Sequence, residues 1–309
     1  MLLWQGLCVT IPLSNEGTGG KANFMYKTLS PGAIGIRGLS LADSIALAAR
    51  TDFGGLDFSI VQAAQLAEEI GVEGVKALFD EAGIRFGAWG LPVRWQSDDW
   101  EADLAQLPRY AALAAELGAN RTSTWCPPSS DQRDFDANFA WHVARFQPIA
   151  AALAEHGIRF GIEFIGPQTL RPPQKHGFIY DMAGMLELAA ALGTGNVGLL
   201  LDAWHLYTSG GAVGDLDKIS KSDIVNVHVN DAPLDLQMRE YIDNDRRLPL
   251  ETGVLPLRDF MQKLAELEYD GPVTPEPFSA RLNALDDALQ AAQITAESMN
   301  QLWRVAGLA

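Results

Sequence analysis

Short apolar runs alternate with longer Ala-, Leu- and Glu-rich segments along almost the whole chain. The runs fall at residues 2–11, 55–60, 84–89, 119–125, 159–165, 196–201, 224–229 and 272–276, eight in all. The segments between them, at 41–50, 61–82, 98–117, 135–156, 182–192, 257–267 and 285–305, repeat their apolar residues every three or four positions, the period of an amphipathic helix. Gly83, Gly118, Gly157 and Gly193 stand just before the next run, where a helix ends most easily on a left-handed residue. Strands that alternate with helices of this length pair in parallel, because each crossover needs a helix to bring the chain back to the same end of the sheet. Eight such units in 309 residues predict a single α/β domain over residues 1–309, a closed (β/α)8 TIM barrel. An open doubly wound sheet is the alternative, but no G-x-G-x-x-G follows the first run. The stretch from Gly17 to Lys21 lacks the leading Gly of a phosphate loop, and Ala22 stands where its Ser or Thr belongs.

Charge narrows the function. Asp and Glu number 39 against 23 Lys and Arg, a formal net charge of −16 that repels phosphate backbones and anionic membrane surfaces, so neither nucleic acid nor a membrane is an expected partner. Cys8 and Cys126 form no CxxC, which argues against a disulfide framework or a thiolate zinc site and fits a cytoplasmic protein. The apolar N-terminus has no positively charged leader region and reads as the first strand. The following stretch, residues 12–38, has six glycines and exceeds the roughly 12 to 15 residues of ordinary loops, as a mobile lid would.

In a barrel the reactive groups sit at the C-terminal ends of strands. Glu163 ends the fifth run, Asp202 follows the sixth, His228 lies in the seventh and Glu276 ends the eighth, one ionisable group from each of four consecutive strands. Taken singly, each reads as a helix cap, a surface charge or a core histidine. Together at one barrel mouth, three carboxylates and an imidazole would repel or strand one another unless a divalent cation neutralised them. An O3N set suits manganese first, with magnesium, cobalt or zinc as alternatives. Asp231 is a candidate acceptor that would orient His228. Arg171, Lys175 and His176 follow the fifth strand at the active face, where they could meet a substrate hydroxyl or phosphate. The aromatic residues Trp89, Trp125, Phe164 and Phe278 are candidates for packing against a sugar, with core filling as the plainer use, and Trp204 is open to both readings.

The runs Gly161 to Glu163, Asp202 to His205 and Val227 to Asp231, then Arg246 with Pro249 and Gly253, and Tyr269 to Pro272 with Glu276, resemble the xylose isomerase-like TIM barrels of sugar isomerases and epimerases. The resemblance implies that Glu163, Asp202, His228 and Glu276 hold one divalent metal ion and that His205 and Arg246 contact substrate oxygens. It also implies a small carbohydrate substrate and a homo-dimer or homo-tetramer. The family's Arg-x-x-Pro-Gly-x-Gly is altered here, since Leu250 replaces the first Gly and the stretch to Gly253 is one residue longer.

The expected chemistry is isomerisation or epimerisation of a sugar, keto-sugar or inositol derivative by proton transfer through a metal-stabilised enediolate, with Glu163 and Glu276 as catalytic acid and base. The same site could serve a lyase or dehydratase acting on a keto-inositol or an oxidised glycoside. A DNA-repair nuclease on this barrel needs a larger His-rich cluster than five histidines and a −16 charge favour. A metal-holding barrel without turnover completes the alternatives.

Overall fold

The computed structural model describes residues 25–173 and 175–309. Eight parallel strands close into a barrel: β1 (Tyr26–Leu29), β2 (Gly55–Phe58), β3 (Arg85–Gly90), β4 (Arg121–Cys126), β5 (Arg159–Phe164), β6 (Val197–Asp202), β7 (Ile224–Val229) and β8 (Pro272–Pro275), each paired with the next and β8 with β1. Helices cross back over the outside, the longest being Phe135–Ala154 after β4 and Ala288–Ala306 after β8. Among the described residues no helix is long and apolar enough to cross a membrane.

Seven strands and the main helices fall where the periodicity puts them, and the four expected helix-ending glycines have φ between 67° and 82°. Three expectations need correction. The expected first strand, residues 2–11, lies outside the described residues, and the barrel closes instead with β1, inside the stretch expected to be a loop and lid. A Lys in the middle of Tyr-Lys-Thr-Leu hides that strand, but its polar groups are met. Tyr26 donates its hydroxyl to the Phe86 carbonyl at 2.6 Å beneath the Arg85 guanidinium, and Lys27 pairs with Asp52 at 3.0 Å. The segment 61–82 is two helices, Ile60–Ile70 and Val72–Ala82, because Gly71 between them takes φ 78°, which an α-helix does not contain. The segment 98–117 likewise divides into Trp100–Leu104 and Leu107–Leu117, the second with Pro108 in its first turn.

Alternation along the strands sorts core from site. In β5, Phe160, Ile162 and Phe164 are fully buried, and Phe160 meets Phe146 of the preceding helix edge to face at 5.9 Å. Their outward packing turns Glu163 to the barrel interior. Cys126 is buried as a small apolar group, while Cys8 lies outside the described residues.

Candidate metal centre

The structure brings Glu163, Asp202, His228 and Glu276 to one point at the C-terminal mouth, each with a ligand-type atom within 4.8 Å of the others. An ion held at about 2.0–2.2 Å needs its ligands within roughly 4.4 Å of one another, so the set requires only a small contraction. Glu163 Oε1 and His228 Nδ1 are buried without a hydrogen-bond partner and lie 3.8 Å apart. Such buried atoms are costly unless something absent from the protein itself satisfies them. The residues therefore fit a divalent cation.

Arg246 stands among the carboxylates with 1% of its surface exposed. Its Nη1 donates to Asp202 Oδ2 and to Glu276 Oε2, both at 2.9 Å, and its Nη2 to Asp243 Oδ1 at 2.8 Å. Glu163, Asp202 and Glu276 still outnumber this one guanidinium. Two carboxylates about 4 Å apart repel by roughly 4 kcal/mol at an effective dielectric near 20, and a divalent ion removes that repulsion.

Burial, with the Glu276 charge beside it, raises the Glu163 carboxyl well above its usual range, and burial raises Asp202 against the pull of Arg246. Burial opposes charge on Glu276 too, but His228 and Arg246 hold it down at about 2. Burial also works against a charged His228, yet the carboxylates of Glu276, Glu163 and Asp202 push it up to about 10.

His205 is fully buried, and desolvation, then Arg246, pushes its pKa well below the usual imidazole value. The Gly166 N–H donates to its Nδ1 at 3.1 Å, while its Nε2 lies 3.2 Å from Arg246 Nη2 and 3.7 Å from both Glu163 Oε1 and Asp243 Oδ1. Gly166 is needed for that approach, because a Cβ there would strike the His205 carbonyl and Thr208 Oγ1.

Arg246 is positioned by the long connection after β7. Asp231 does not orient His228. Its buried carboxylate accepts the N–H groups of Ala232, Thr252, Gly253 and Leu255 at 2.6–3.0 Å, and its backbone exchanges two 2.8 Å hydrogen bonds with Arg247, beside Arg246. Leu250, at the altered motif position, keeps φ 64°, the left-handed conformation that the family's Gly would hold without strain.

Three supporting residues escape the strand-end reading. Asn230 donates to Asp202 at 3.1 Å, and Asp243 ties Arg246 to the indole N–H of Trp204 at 3.2 Å, which makes Trp204 a core residue. Asp57, on β2, accepts from Thr274 Oγ1 and the Ala88 N–H, both at 2.7 Å. It lines a cavity of about 270 Å³ over β1 to β3 with Ser30, Ser59 and Gln62. The sequence signals were a lone acid inside an apolar run and, for Asp243, its spacing of three from Arg246.

His176 is not brought to this cluster. It is exposed, in a two-residue antiparallel pairing of His176–Gly177 with Ser129–Ser130. Lys175 pairs with Asp131 at 3.2 Å, and Arg171 holds the Gly166 carbonyl at 2.8 Å. Among the candidate sugar-packing aromatics, Trp89 and Phe164 are core residues and Trp125 is exposed, while the Phe278 ring lies 4.9 Å from the Arg246 guanidinium.

Residues 45–302 match the model of the xylose isomerase-like TIM barrel family, and the chain belongs to that family. Among its relatives is an inosose isomerase from Halalkalibacterium halodurans, 29% identical over 143 residues, a match covering 45% of this chain and about half, 47%, of that enzyme. A xylose isomerase domain protein from Alicyclobacillus acidocaldarius superimposes with a TM-score of 0.80 at 29% identity, over 92% of this chain and 99% of that one. The IOLI protein, whose structure holds a zinc atom, follows at a TM-score of 0.72 and 17% identity, over 91% and 98% of the two chains, a likeness of fold.

Proposed function

We propose that this protein is a divalent-metal-dependent isomerase or epimerase of a sugar, keto-sugar or inositol derivative. The observation that carries the reading is the convergence of Glu163, Asp202, His228 and Glu276 within 4.8 Å, with two of their buried polar atoms left unpartnered. The inosose isomerase relative and the zinc atom in the IOLI protein support it.

When bound, a divalent cation supplies positive charge that offsets negative charge developing on a substrate oxygen, with manganese the first choice and magnesium, cobalt or zinc as alternatives. Glu163, on β5, and Glu276, after β8, come from nonadjacent strands and can address opposite faces of a planar carbon. One removes the proton next to the carbonyl and the other returns one, and the roles exchange with reaction direction. His205 and Arg246 contact substrate oxygens. Arg246 is held for that task by Asp202, Glu276 and Asp243.

The test is a panel of keto-sugars and inososes incubated with the manganese-loaded protein in heavy water. A deuteron incorporated beside the carbonyl of a product of otherwise unchanged mass supports the reading. A product lighter by one water overturns it in favour of a dehydratase, and no exchange with any substrate removes it.

A further inference from the structure

Away from the carboxylate cluster, a second polar cavity of about 320 Å³ opens between the loops after β3 and β4 and the helix Phe135–Ala154. Arg133, Asn138, Trp141, His142 and Arg145 line one side of it, and Ser129 and Ser130 line it after β4. The chain carries a net charge of −16, and half of the described Lys and Arg residues sit within 4 Å of a carboxylate. Arg133 and Arg145 have no ion pair among the described residues. The nearby acids are engaged elsewhere: Asp131 pairs with Lys175 at 3.2 Å, and Asp134 caps the helix by accepting the Ala137 N–H at 3.0 Å. Asp98, also lining the cavity, is exposed and pairs with neither guanidinium.

Both guanidiniums gather at one indole. Their central carbons lie 4.1 Å (Arg133) and 5.3 Å (Arg145) from the Trp141 ring centroid, and Arg145 also stacks 4.5 Å from Trp100. Stacking fixes the two planes but leaves most of their N–H donors unused. Arg133 donates from Nε to Asn138 Oδ1 at 3.1 Å, and Arg145 reaches only the Ser97 carbonyl, at 3.5 Å.

Two more groups in the same wall are unsatisfied. Asn138 and His142, one helical turn apart, are 2% and 1% exposed, yet Asn138 Nδ2 and His142 Nε2 have no hydrogen-bond partner. The roles of these atoms are set by their neighbours. Asn138 Oδ1 already accepts from Arg133, so Nδ2 is a donor. His142 Nδ1 donates to the Asn138 carbonyl at 2.8 Å, so Nε2 is an acceptor. Burial keeps that ring neutral, with its pKa lowered to about 4. The wall therefore offers two fixed positive charges, one amide donor and one acceptor.

We propose that this cavity binds the phosphate group of a small molecule. A hydrogen phosphate oxyanion accepts from guanidiniums and an amide while its remaining P–OH donates to a neutral imidazole, a combination that a fully ionised carboxylate lacks. The group comes either as free phosphate or as a phosphate ester.

Calorimetric titration of the manganese-loaded full chain with inorganic phosphate at low salt tests the site, alongside Arg133→Met and Arg145→Met, which keep the apolar stems against Trp141. One saturable phosphate per chain is expected. Each substitution should weaken binding at least tenfold while leaving the melting temperature in place. His228→Ala, altered at the metal centre, should bind phosphate as the wild type does. A sugar phosphate such as fructose 6-phosphate that binds at least tenfold more tightly than phosphate, with the same loss in both Arg variants, assigns the site to an ester. Equal binding assigns it to the free anion. Absence of saturable binding, binding unchanged in both Arg variants, or binding lost only with His228→Ala would overturn the proposal.

Discussion

Over β5 to β8 the barrel mouth gathers Glu163, Asp202, His228 and Glu276 around one point with Arg246 among them, whereas over β1 to β3 the interior holds one acid, Asp57, met by a hydroxyl and a backbone N–H. Both halves bury carboxylates, and burial raises Glu163 and Asp202 in the one half as it raises Asp57 in the other, but Glu276 is held down. Burial pushes Asp57 up to about 6, while His228 and Arg246 overcome the same burial to hold Glu276 at about 2. Partners, rather than depth, decide which buried acid carries charge. Within the β5–β8 half, the acid nearest both His228 and Arg246 is the one that keeps its charge.

The comparison breaks most sharply at the acids of the charged half. Glu163→Gln or Glu276→Gln should lower turnover by about a thousandfold, within the range for losing a positioned acid or base, while the far-ultraviolet dichroism stays that of the wild type. Turnover within tenfold of wild type would take that residue out of the proton transfer.

Next comes the guanidinium that three carboxylates share. Arg246→Met leaves Asp202, Glu276 and Asp243 buried without their cation and should cost about 3–5 kcal/mol in urea unfolding of the metal-free protein. A loss below about 1 kcal/mol would mean that the acids are already protonated there.

On the other half the sign reverses. The folded-state value of about 6 for Asp57 lies above its ordinary 3.8, so the folded protein binds that proton more tightly than the unfolded chain. The resulting stability is fully present below pH 3.8 and is lost as pH rises through about 6. Asp57→Asn should therefore stabilise the protein at pH 8 by up to about 3 kcal/mol and flatten the dependence between pH 4 and 7. A melting temperature at pH 8 that falls in the variant would show that the charge is wanted there.

The smallest effect is at Leu250. Replacing it by Gly relieves a left-handed backbone but gives up a partly buried side chain, so Leu250→Gly should change stability by no more than about 1 kcal/mol, measured by thermal unfolding.

The barrel was legible because its signal is repetitive. Seven apolar runs and four helix-ending glycines agree on one topology, and a strand-end residue such as Glu163 or Asp202 is conspicuous as an acid closing an apolar run. β1 was not legible, because Lys27 interrupts its apolar pattern and the partners that satisfy it, Asp52 and Asn300, are distant in sequence. The break at Gly71 was hidden because Ile70 and Val72 carry the apolar pattern across it. Around the site, Asn230 and Asp243 act through hydrogen bonds to Asp202 and Trp204, 28 and 39 positions away, which no local period encodes. For the same reason Asp231 looked like a partner of its neighbour His228, when its carboxylate holds the backbone of residues 252–255.

The central claim is that four side chains from β5 to β8 hold one divalent ion. Equilibrium dialysis against manganese followed by elemental mass spectrometry tests it on the wild type beside Glu163→Gln and His228→Ala. The account predicts about one ion per wild-type chain and its loss from both variants. A wild type that takes up no ion, or variants that keep theirs, would contradict it.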